Sequence, residues 1–468
     1  MSLVSEVVGV IAPGYALKRL KVKQTRAYYE AATLALKRNN LRPRNTDGNA
    51  ETLFQAGKIR DFARAAVRNM PIAERAVRAI QANSVGTGIM PQYSPENIHK
   101  SQRKKTEKII RQSFGTSIDA DGVHTLYGLQ GLVMRTTVLS GEAFIVLQPA
   151  TTALGFALRV LEPDYIDDHK TVSADNGNYI IQGIEFNNAG ERLAYYVFPE
   201  HPGSRKGGSR DSVRVEARHV MHVFRQDRPG QHRGVSWLAP AGKSLLEYSE
   251  LQRVALIQQK VAASVGVILY SDVDEAPMVD DEGEAPTSIN IKPGAMTVAP
   301  PGYKVEMPTI PSGMNGGKDF NRSILADIAV SMGITYEVLA GDLSEVNFSS
   351  GRMGWLEFNK NITVWQKTLL VDMFLKPLSK LVEASLGLDD DIRWSMPRRE
   401  MIQPDKEMNA AAKAVDGGLL SRGHVQRGWG VDPEDMQDEI DREREEDVRK
   451  TYELKEKYNL ENDDDNND

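Results

Sequence analysis

His219 and His222, in the string HVMH, are the side chains whose type best suits them to hold a metal ion. Imidazole binds zinc readily, but a site needs three or four convergent ligands. The string falls in a strand-like run, where residues three apart point to opposite faces, and no acidic third ligand stands in register nearby. Packing and hydrogen bonding are the expected roles for both. The string SGMNGGKD, Ser312 to Asp319, has some of the glycines of a phosphate-cradling loop. Ser312, however, stands where the first glycine belongs and Asp319 where the magnesium-binding Ser or Thr belongs. An acid at that place repels phosphate, which argues against an ATPase. VGTGIMPQ, Val85 to Gln92, follows a helix and has no strand before it, so it reads as a helix C-cap and turn rather than a dinucleotide fingerprint. G-x-S-x-G and H-E-x-x-H strings are absent, and the Asp167–Asp168 pair is of a kind common in turns. The absence of cysteine excludes disulfides and thiolate metal sites. No cofactor and no metal are expected, although residues distant in sequence can still converge on a site.

The segment GDLSEVNFSSGR, Gly341 to Arg352, offers a different chemistry. It is small, polar and bounded by glycine, and it feeds a helix carrying Trp355, Phe358, Ile362 and Trp365. With no nucleophile–base pair and no ligand set, it is suited to placing a loop rather than to reacting. Ser344, Asn347, Ser349, Ser350 and Arg352 are its candidate contact residues. An alternative role for such a loop is to cap the following helix and pack on a neighbour. A second candidate is acidic: no Lys or Arg stands between Val261 and Ile291, while Asp272, Asp274, Glu275, Asp280, Asp281, Glu282 and Glu284 crowd one stretch. Asp280, Asp281 and Glu282 are the residues expected to attract a basic partner.

The elements that must position these residues emerge from periodicity and punctuation. Ile59, Phe62, Ala63 and Ala66 recur at helical spacing up to Pro71, and Ile72, Ala76, Val77 and Ile80 resume it. This predicts a helix pair with its basic residues facing out, and a third helix over Ser101 to Phe114. Between Gly128 and Phe224 the runs AFIVLQP, FALRVLEP, YIIQGIEF, LAYYVF and HVMHVF predict a mostly antiparallel sheet, with HPGSRKGGSRD, His201 to Asp211, as a flexible loop. A helix follows over 238–264, then a small β-rich module around the acidic stretch, and a helix from Asp319. A long helix from about Gly354 to Leu386 should be interrupted or bend at Pro377, where a backbone hydrogen bond is lost. Shorter helices and a charged helical segment complete the chain, and NLENDDDNND holds too little apolar surface to order.

At 468 residues and 41% hydrophobic content, the chain has room for two to four domains. No stretch approaches the roughly 20 apolar residues of a membrane span. At the N-terminus the apolar run precedes the charges, the reverse of a secretory signal, so the expected place of synthesis and residence is the cytoplasm. The net charge of −6 conceals a segregation: residues 1–111 carry 21 Lys/Arg against 8 Asp/Glu, and residues 432–468 carry 6 against 17. Opposite ends of opposite sign suggest electrostatic partners, or simply solvated faces.

Five strings, in order, resemble the lambda family of phage portal proteins over about Lys58 to Arg422. These are RDFARAAVRNMPIAERAVRAIQANSVGTGI, HVFRQDRPGQHRGVSWLAP, PGAMTVAPPGYKVE, NFSSGR with the following Trp355 and Glu357, and IQPDKEMNAAAKAVDGGLLSR. Phe348 departs from the pattern, in which tyrosine is common. The resemblance implies an α+β portal fold with an antiparallel β-rich wing, a helical stem, a small β-containing clip and a helical crown. Laid on this sequence, it gives an N-terminal arm at 1–57, wing at 58–237, stem helix at 238–264 and clip at 265–318. A second stem helix at 319–340, tunnel loop at 341–352, long bent helix and wing return at 353–400, crown at 401–458 and disordered acidic tail at 459–468 follow.

It further implies a homo-oligomeric ring, a dodecamer in most members, that passes double-stranded DNA without reading its sequence. Implied partners are the large terminase subunit, major capsid and scaffold proteins, and neck or head–tail adaptor proteins, with no membrane. The implied place is the portal vertex of the virion, after assembly in the bacterial cytoplasm. A ring repeats each phosphate contact in every subunit, so a strongly basic wall would trap DNA, whereas polar residues such as Asn347, Ser349 and Ser350 suit sliding. Two other classes stay open on sequence: a magnesium-dependent DNA-processing enzyme, which needs converging carboxylates, and a generic head–tail adaptor ring, typically much shorter.

Overall fold

A computed structural model describes residues 46–53, 55–93, 100–173, 177–205, 211–264, 268–271, 303–306, 317–389, 392–431 and 433–457. The chain forms two compact units, residues 1–51 and 52–468. In the first, the described part has Asp47 accepting a hydrogen bond from the Ala50 N–H at 2.8 Å, at the start of a one-turn helix. All that follows concerns the second unit. Asp280, Asp281 and Glu282, the rest of the acidic stretch and the tail from 459 lie outside the described residues.

Helices α1 (Ala56–Asn69) and α2 (Pro71–Val85) meet at Met70. Pro71 occupies the first position of α2, where its missing N–H would have had no intrahelical partner. Ala63, Ala66, Ala73 and Ala76 are at most 2% exposed, and their small side chains let helices approach closely. The expectation that basic residues of this pair face out fails at Arg60. Its side chain is buried, with Nε 3.7 Å from Asp164 and Nη2 3.6 Å from Asp168. Arg64 pairs with Asp164 and, at 3.2 Å, with Glu162. Acids that follow the second long strand thus draw the first helix onto the sheet region.

Strand β1 (Met90–Tyr93) and helix α3 (Lys100–Thr116) come next, then α4 (Leu126–Ser140), a helix where the sequence pointed to strands from Gly128 on. Its signal is masked because it is buried on nearly all sides and so lacks an amphipathic stripe, and because it holds two glycines and β-branched residues. Gly131 serves the packing: a Cβ there would lie 3.2 Å from Gln81 Nε2 of α2. Thr125 caps the start, and Gly141 ends the helix at φ +96°. A Cβ on Gly141 would meet the Val235 carbonyl carbon at 2.4 Å, so glycine is required twice over.

Strands β2 (Glu142–Pro149) and β3 (Phe156–Leu161) pair antiparallel; β4 (Val172–Ser173), β5 (Tyr179–Ile181), β6 (Ile184–Phe186), β7 (Arg192–Val197) and β8 (Val213–Glu216) form a second, five-stranded antiparallel sheet. YIIQGIEF is not one strand but a hairpin, β5–β6, turned by Gln182 and Gly183 at φ 50° and 78°. β8 had no counterpart in the sequence reading. β9 (Val220–Phe224) completes the order β3–β2–β9. That three-stranded sheet is buried on both faces, which is why AFIVL and VMHVF are apolar without alternation. Ala143, Ile145, Met221 and Val223 join the core shared with the helices, whereas Phe144, Val146 and Val220 pack with Ile184, Phe186 and Tyr195 of the five-stranded sheet.

Helix α5 runs Gly242–Ser264, and β10 (Ile268–Ser271) pairs antiparallel with β11 (Tyr303–Glu306), bracketing the acidic stretch. Helix α6 (Gly317–Met332) stops at Gly333, φ +69°, and a one-turn helix α7 (Tyr336–Ala340) follows, so the helix expected over 319–340 is broken. Helix α8 (Phe348–Trp365) continues through a π-wound stretch, Gln366–Leu375, into α9 (Lys376–Leu386). The Lys376 N–H reaches back to Val371 O, five residues. The helix thus widens immediately before Pro377, which cannot donate, instead of ending there. Strand β12 (Ile392–Ser395) pairs with β1, and α10 (Pro404–Asp416), α11 (Arg422–Gly428) and α12 (Pro433–Lys457) complete the chain.

The charge segregation is partly answered within the molecule. Arg103 and Arg111 of α3 pair with Glu434 and Asp435 at the start of α12, and Lys104 Nζ lies 2.6 Å from Asp438.

Candidate nucleic-acid interface

The loop Gly341–Asn347 is held at both ends and braced in the middle. Thr335 Oγ1 accepts from the Val338 N–H to cap α7, and Gly341, at φ +70°, ends it with its N–H on Glu337 O at 2.8 Å. Gly333 lets α6 turn away beneath α8: a Cβ there would lie 3.2 Å from the Trp365 ring, and Asn361 Nδ2 donates to its carbonyl at 2.9 Å. Within the loop, Asp342 Oδ1 accepts from the Ser344 N–H at 3.0 Å while the Tyr336 hydroxyl donates to Oδ2 at 3.3 Å. Arg322 pairs with Glu345 and lies over the Tyr336 ring, 5.1 Å from its centre.

Asn347 is the N-cap of α8. Its Oδ1 accepts from the Ser350 N–H at 2.8 Å, and Ser350 Oγ donates back to Asn347 O at 3.1 Å. The segment expected as a loop up to Arg352 is therefore helical from Phe348 on. Asn347 and Ser350 are brought together by the cap; Ser344 lies in the turn made by Asp342; Ser349 and Arg352 stand on the first turns of the helix. All five side chains are exposed.

Beside Arg352 lies a cavity of about 560 Å³ that sequence reasoning missed. Trp355, Leu356 and Asn359 of α8, Met396, Arg399 and Ile402 after β12, and Trp429 after α11 line it. Arg399 is held only by uncharged oxygens, donating to Thr363 Oγ1 at 2.6 Å, Asn359 O at 3.4 Å and Gln366 Oε1 at 3.4 Å. Burial lowers its pKa, and no carboxylate compensates its charge among the described residues. Residues from α8 and from segments that begin 30 or more positions later in the sequence make this cavity, so no local string announces it.

The two histidines have different surroundings. His222 is buried with its Nε2–H on Glu142 Oε2 at 2.9 Å, its ring stacked on Phe144 and Phe224, while His219 lies half-buried just before β9. Glu142 also accepts from Arg233 Nε at 2.8 Å and from the Gly234 N–H at 2.9 Å; Arg233 donates to Gln182 O at 2.8 Å. Burial alone would raise the Glu142 pKa, but the Arg233 charge and the His222 hydrogen bond hold it well below the usual carboxylate range. Burial pushes His222 from 6.5 to about 4. At neutral pH the imidazole is neutral with its proton on Nε2, because an ionised carboxylate can only accept, and Arg233 alone balances Glu142. This is a structural clamp. Among the described residues Glu162, Asp164 and His201 also cluster tightly enough to hold a cation, but Arg64 already pairs with both acids.

A family model described as "Phage portal protein, lambda family" matches residues 36–366, from before α1 through the loop and all of α8. The chain belongs to the lambda family of phage portal proteins. It is 23% identical over 418 residues to a "Probable portal protein" of Halomonas phage phiHAP-1, covering 84% of this chain and 80% of that one. The "Portal protein" of Escherichia phage N15 is 24% identical over 226 residues, covering 42% and 40%. Among solved structures, a chain in "Neck of empty GTA particle computed with C6 symmetry" superposes with a TM-score of 0.50 at 15% identity, covering 84% of this chain and 96% of that chain. The α+β arrangement of helices and antiparallel sheets is thus a portal fold.

Proposed function

We propose that the protein assembles into a closed homo-oligomeric ring, a dodecamer, at one vertex of a phage head, where its channel passes double-stranded DNA during packaging and ejection. The observation that carries this reading is the family match over residues 36–366, which spans the braced loop and both helices that flank it. The neck particle that shares the fold was solved with imposed rotational symmetry, which supports a ring. In this reading residues 58–237 form the wing, 238–264 and 319–340, broken at Gly333, the stem, 265–318 the clip, 341–347 with the first turns of α8 the tunnel loop and 401–458 the crown.

The task is mechanical. Ser344, Asn347, Ser349, Ser350 and Arg352 contact the DNA backbone and set its position without reading bases, because contacts to phosphate carry no direct sequence information. The loop's internal hydrogen bonds favour this role, since side chains fixed in advance lose little freedom when DNA passes. Asp280, Asp281 and Glu282 in the clip dock a basic surface of the terminase motor or of a neck protein. The protein itself performs no catalysis.

Electron microscopy of the full-length protein tests the reading: axial views should show a ring with a central hole, and particles without one would overturn it. DNA-degrading activity that appears with magnesium and disappears on chelation would favour the enzyme class instead.

A further inference from the structure

We propose that the exposed face of α3 is a binding surface for the phosphate backbone of duplex DNA, separate from the loop before α8, and that the acidic start of α12 covers part of it until DNA displaces it.

The face is built almost entirely from cations. Between Ser101 and Gln112 the exposed side chains of α3 include Lys104, Lys105, Lys108 and Arg111 and no acid, and Ile109 is the one large apolar side chain among them. The only acid of the helix, Glu107, is buried against Arg103 at 3.1 Å, so those two charges offset each other. Positions 104, 108 and 111 follow at i, i+4 and i+7 with 105 beside them, which sets all four cations on one side of the helix. At about 1.5 Å of rise per residue they span about 10.5 Å, one charge per about 3.5 Å. One strand of duplex DNA carries a phosphate for about every 3.4 Å of its axis. The match in linear charge density favours a nucleic-acid backbone. The scarcity of apolar surface argues against a protein, because protein interfaces centre on aromatic and apolar anchors and are depleted in lysine.

What rests on this face is itself anionic. Arg103 and Arg111 pair with Glu434 and Asp435, and Lys104 Nζ lies 2.6 Å from Asp438. A groove of about 660 Å³ opens beside these pairs, lined by Lys104, Glu107, Lys108, Arg111, Gln112 and Asp435. Lys105 and Lys108 meet no acid among the described residues, so the carboxylates of α12 cover only part of the charge. The cover is loosely attached. From Asp441 to Lys455 every side chain of α12 is exposed, and its pairs with α3 are partly exposed contacts that salt weakens. Because α12 holds eleven acids against six bases, DNA arriving on α3 repels it as well as competing for its partners. The charge density that suits this face to holding DNA is the one a sliding channel wall must avoid, and the acidic cover restricts it to conditions where DNA is concentrated.

Anisotropy of a fluorescein-labelled DNA duplex, titrated with the full-length protein over a series of salt concentrations, tests both parts. Lys105→Gln with Lys108→Gln removes two exposed cations that pair with nothing in the fold. Thermal unfolding should be unchanged, while affinity falls at least tenfold and the slope of log K against log salt becomes shallower by about two. Wild-type affinity and slope in that variant would overturn the site. Asp435→Asn with Asp438→Asn uncovers the face and should bind the duplex about fivefold more tightly. Wild-type affinity there would overturn the cover. Poly-glutamate of matched charge that displaces the labelled duplex as well as unlabelled DNA does would mean a surface for acidic proteins, and would overturn the DNA assignment. Saturating duplex should also speed trypsin cleavage within α12 of the wild type, and an unchanged rate counts against displacement.

Discussion

Glu142, Arg233 and His222 are the residues on which the joint between the two sheets depends. Arg233 spans from Glu142 on β2 to the carbonyl of Gln182 in the β5–β6 turn, so one guanidinium ties both sheets together. Glu142→Gln should leave that buried charge uncompensated and cost about 3–5 kcal/mol, read from chemical denaturation of the unassembled protein. The histidine sets a pH window of its own. Its folded pKa, about 4, lies below its unfolded 6.5, so between those values the unfolded chain binds more protons and stability falls as pH falls. His222→Gln should flatten that window relative to wild type, and parallel unfolding-versus-pH curves for the two proteins would contradict the assignment. Little of this was legible in sequence. The pairing of His222 with Glu142 comes from a strand neighbour 80 residues away, and only the β2–β9 register, Phe144 opposite His222, brings the carboxylate within reach. The same holds for the cavity of Arg399 and Trp429, whereas the polar loop before α8 was visible because its residues are consecutive.

Helices and strands were readable where burial is one-sided. Helices α1, α2 and α3 follow their apolar stripes to within a few residues, and the apolar runs of β2, β3 and β9 stood out by composition. Helix α4 was not readable, because a helix wrapped by protein has no polar face to mark its period. The polar loop was read too long for a local reason: Asn347 starts a helix that SSGR continues, and the cap is a side-chain hydrogen bond rather than a composition signal. That cap yields an experiment that separates folding from function. Asn347→Ser keeps a capping oxygen and should leave thermal stability nearly unchanged, whereas Asn347→Ala should cost about 1 kcal/mol. Asn347→Asp keeps the cap yet adds one negative charge per subunit, so rings should form normally while DNA retention in filled heads drops. Equal retention by the Ser and Asp variants would remove Asn347 from the DNA path. At the other end of the chain, the ion pairs of α3 with α12 are partly exposed and each is worth about 0.2–1 kcal/mol. Asp435→Asn with Asp438→Asn, which adds no cleavage site, should therefore release α12 to trypsin several-fold faster, and raised salt should do the same to the wild type.

At the scale of the whole molecule, the second unit packs in three layers: helices, a sheet buried on both faces, and a second sheet against it. Purified protein lacking residues 459–468 should assemble as the full chain does, because that polar segment offers little area to bury; analytical ultracentrifugation would show the loss if it does not. The pairing of β10 with β11 has a consequence for how such a protein can be remade. Ser271 stands opposite Tyr303, so the two ends of whatever chain joins them emerge side by side, about 5 Å apart. Lengthening that connection costs closure entropy that grows only with the logarithm of its length. The strand pair is therefore a natural graft point: a fluorescent or affinity domain with adjacent termini, spliced between Ser271 and Tyr303, should leave the thermal unfolding of the rest of the chain unchanged.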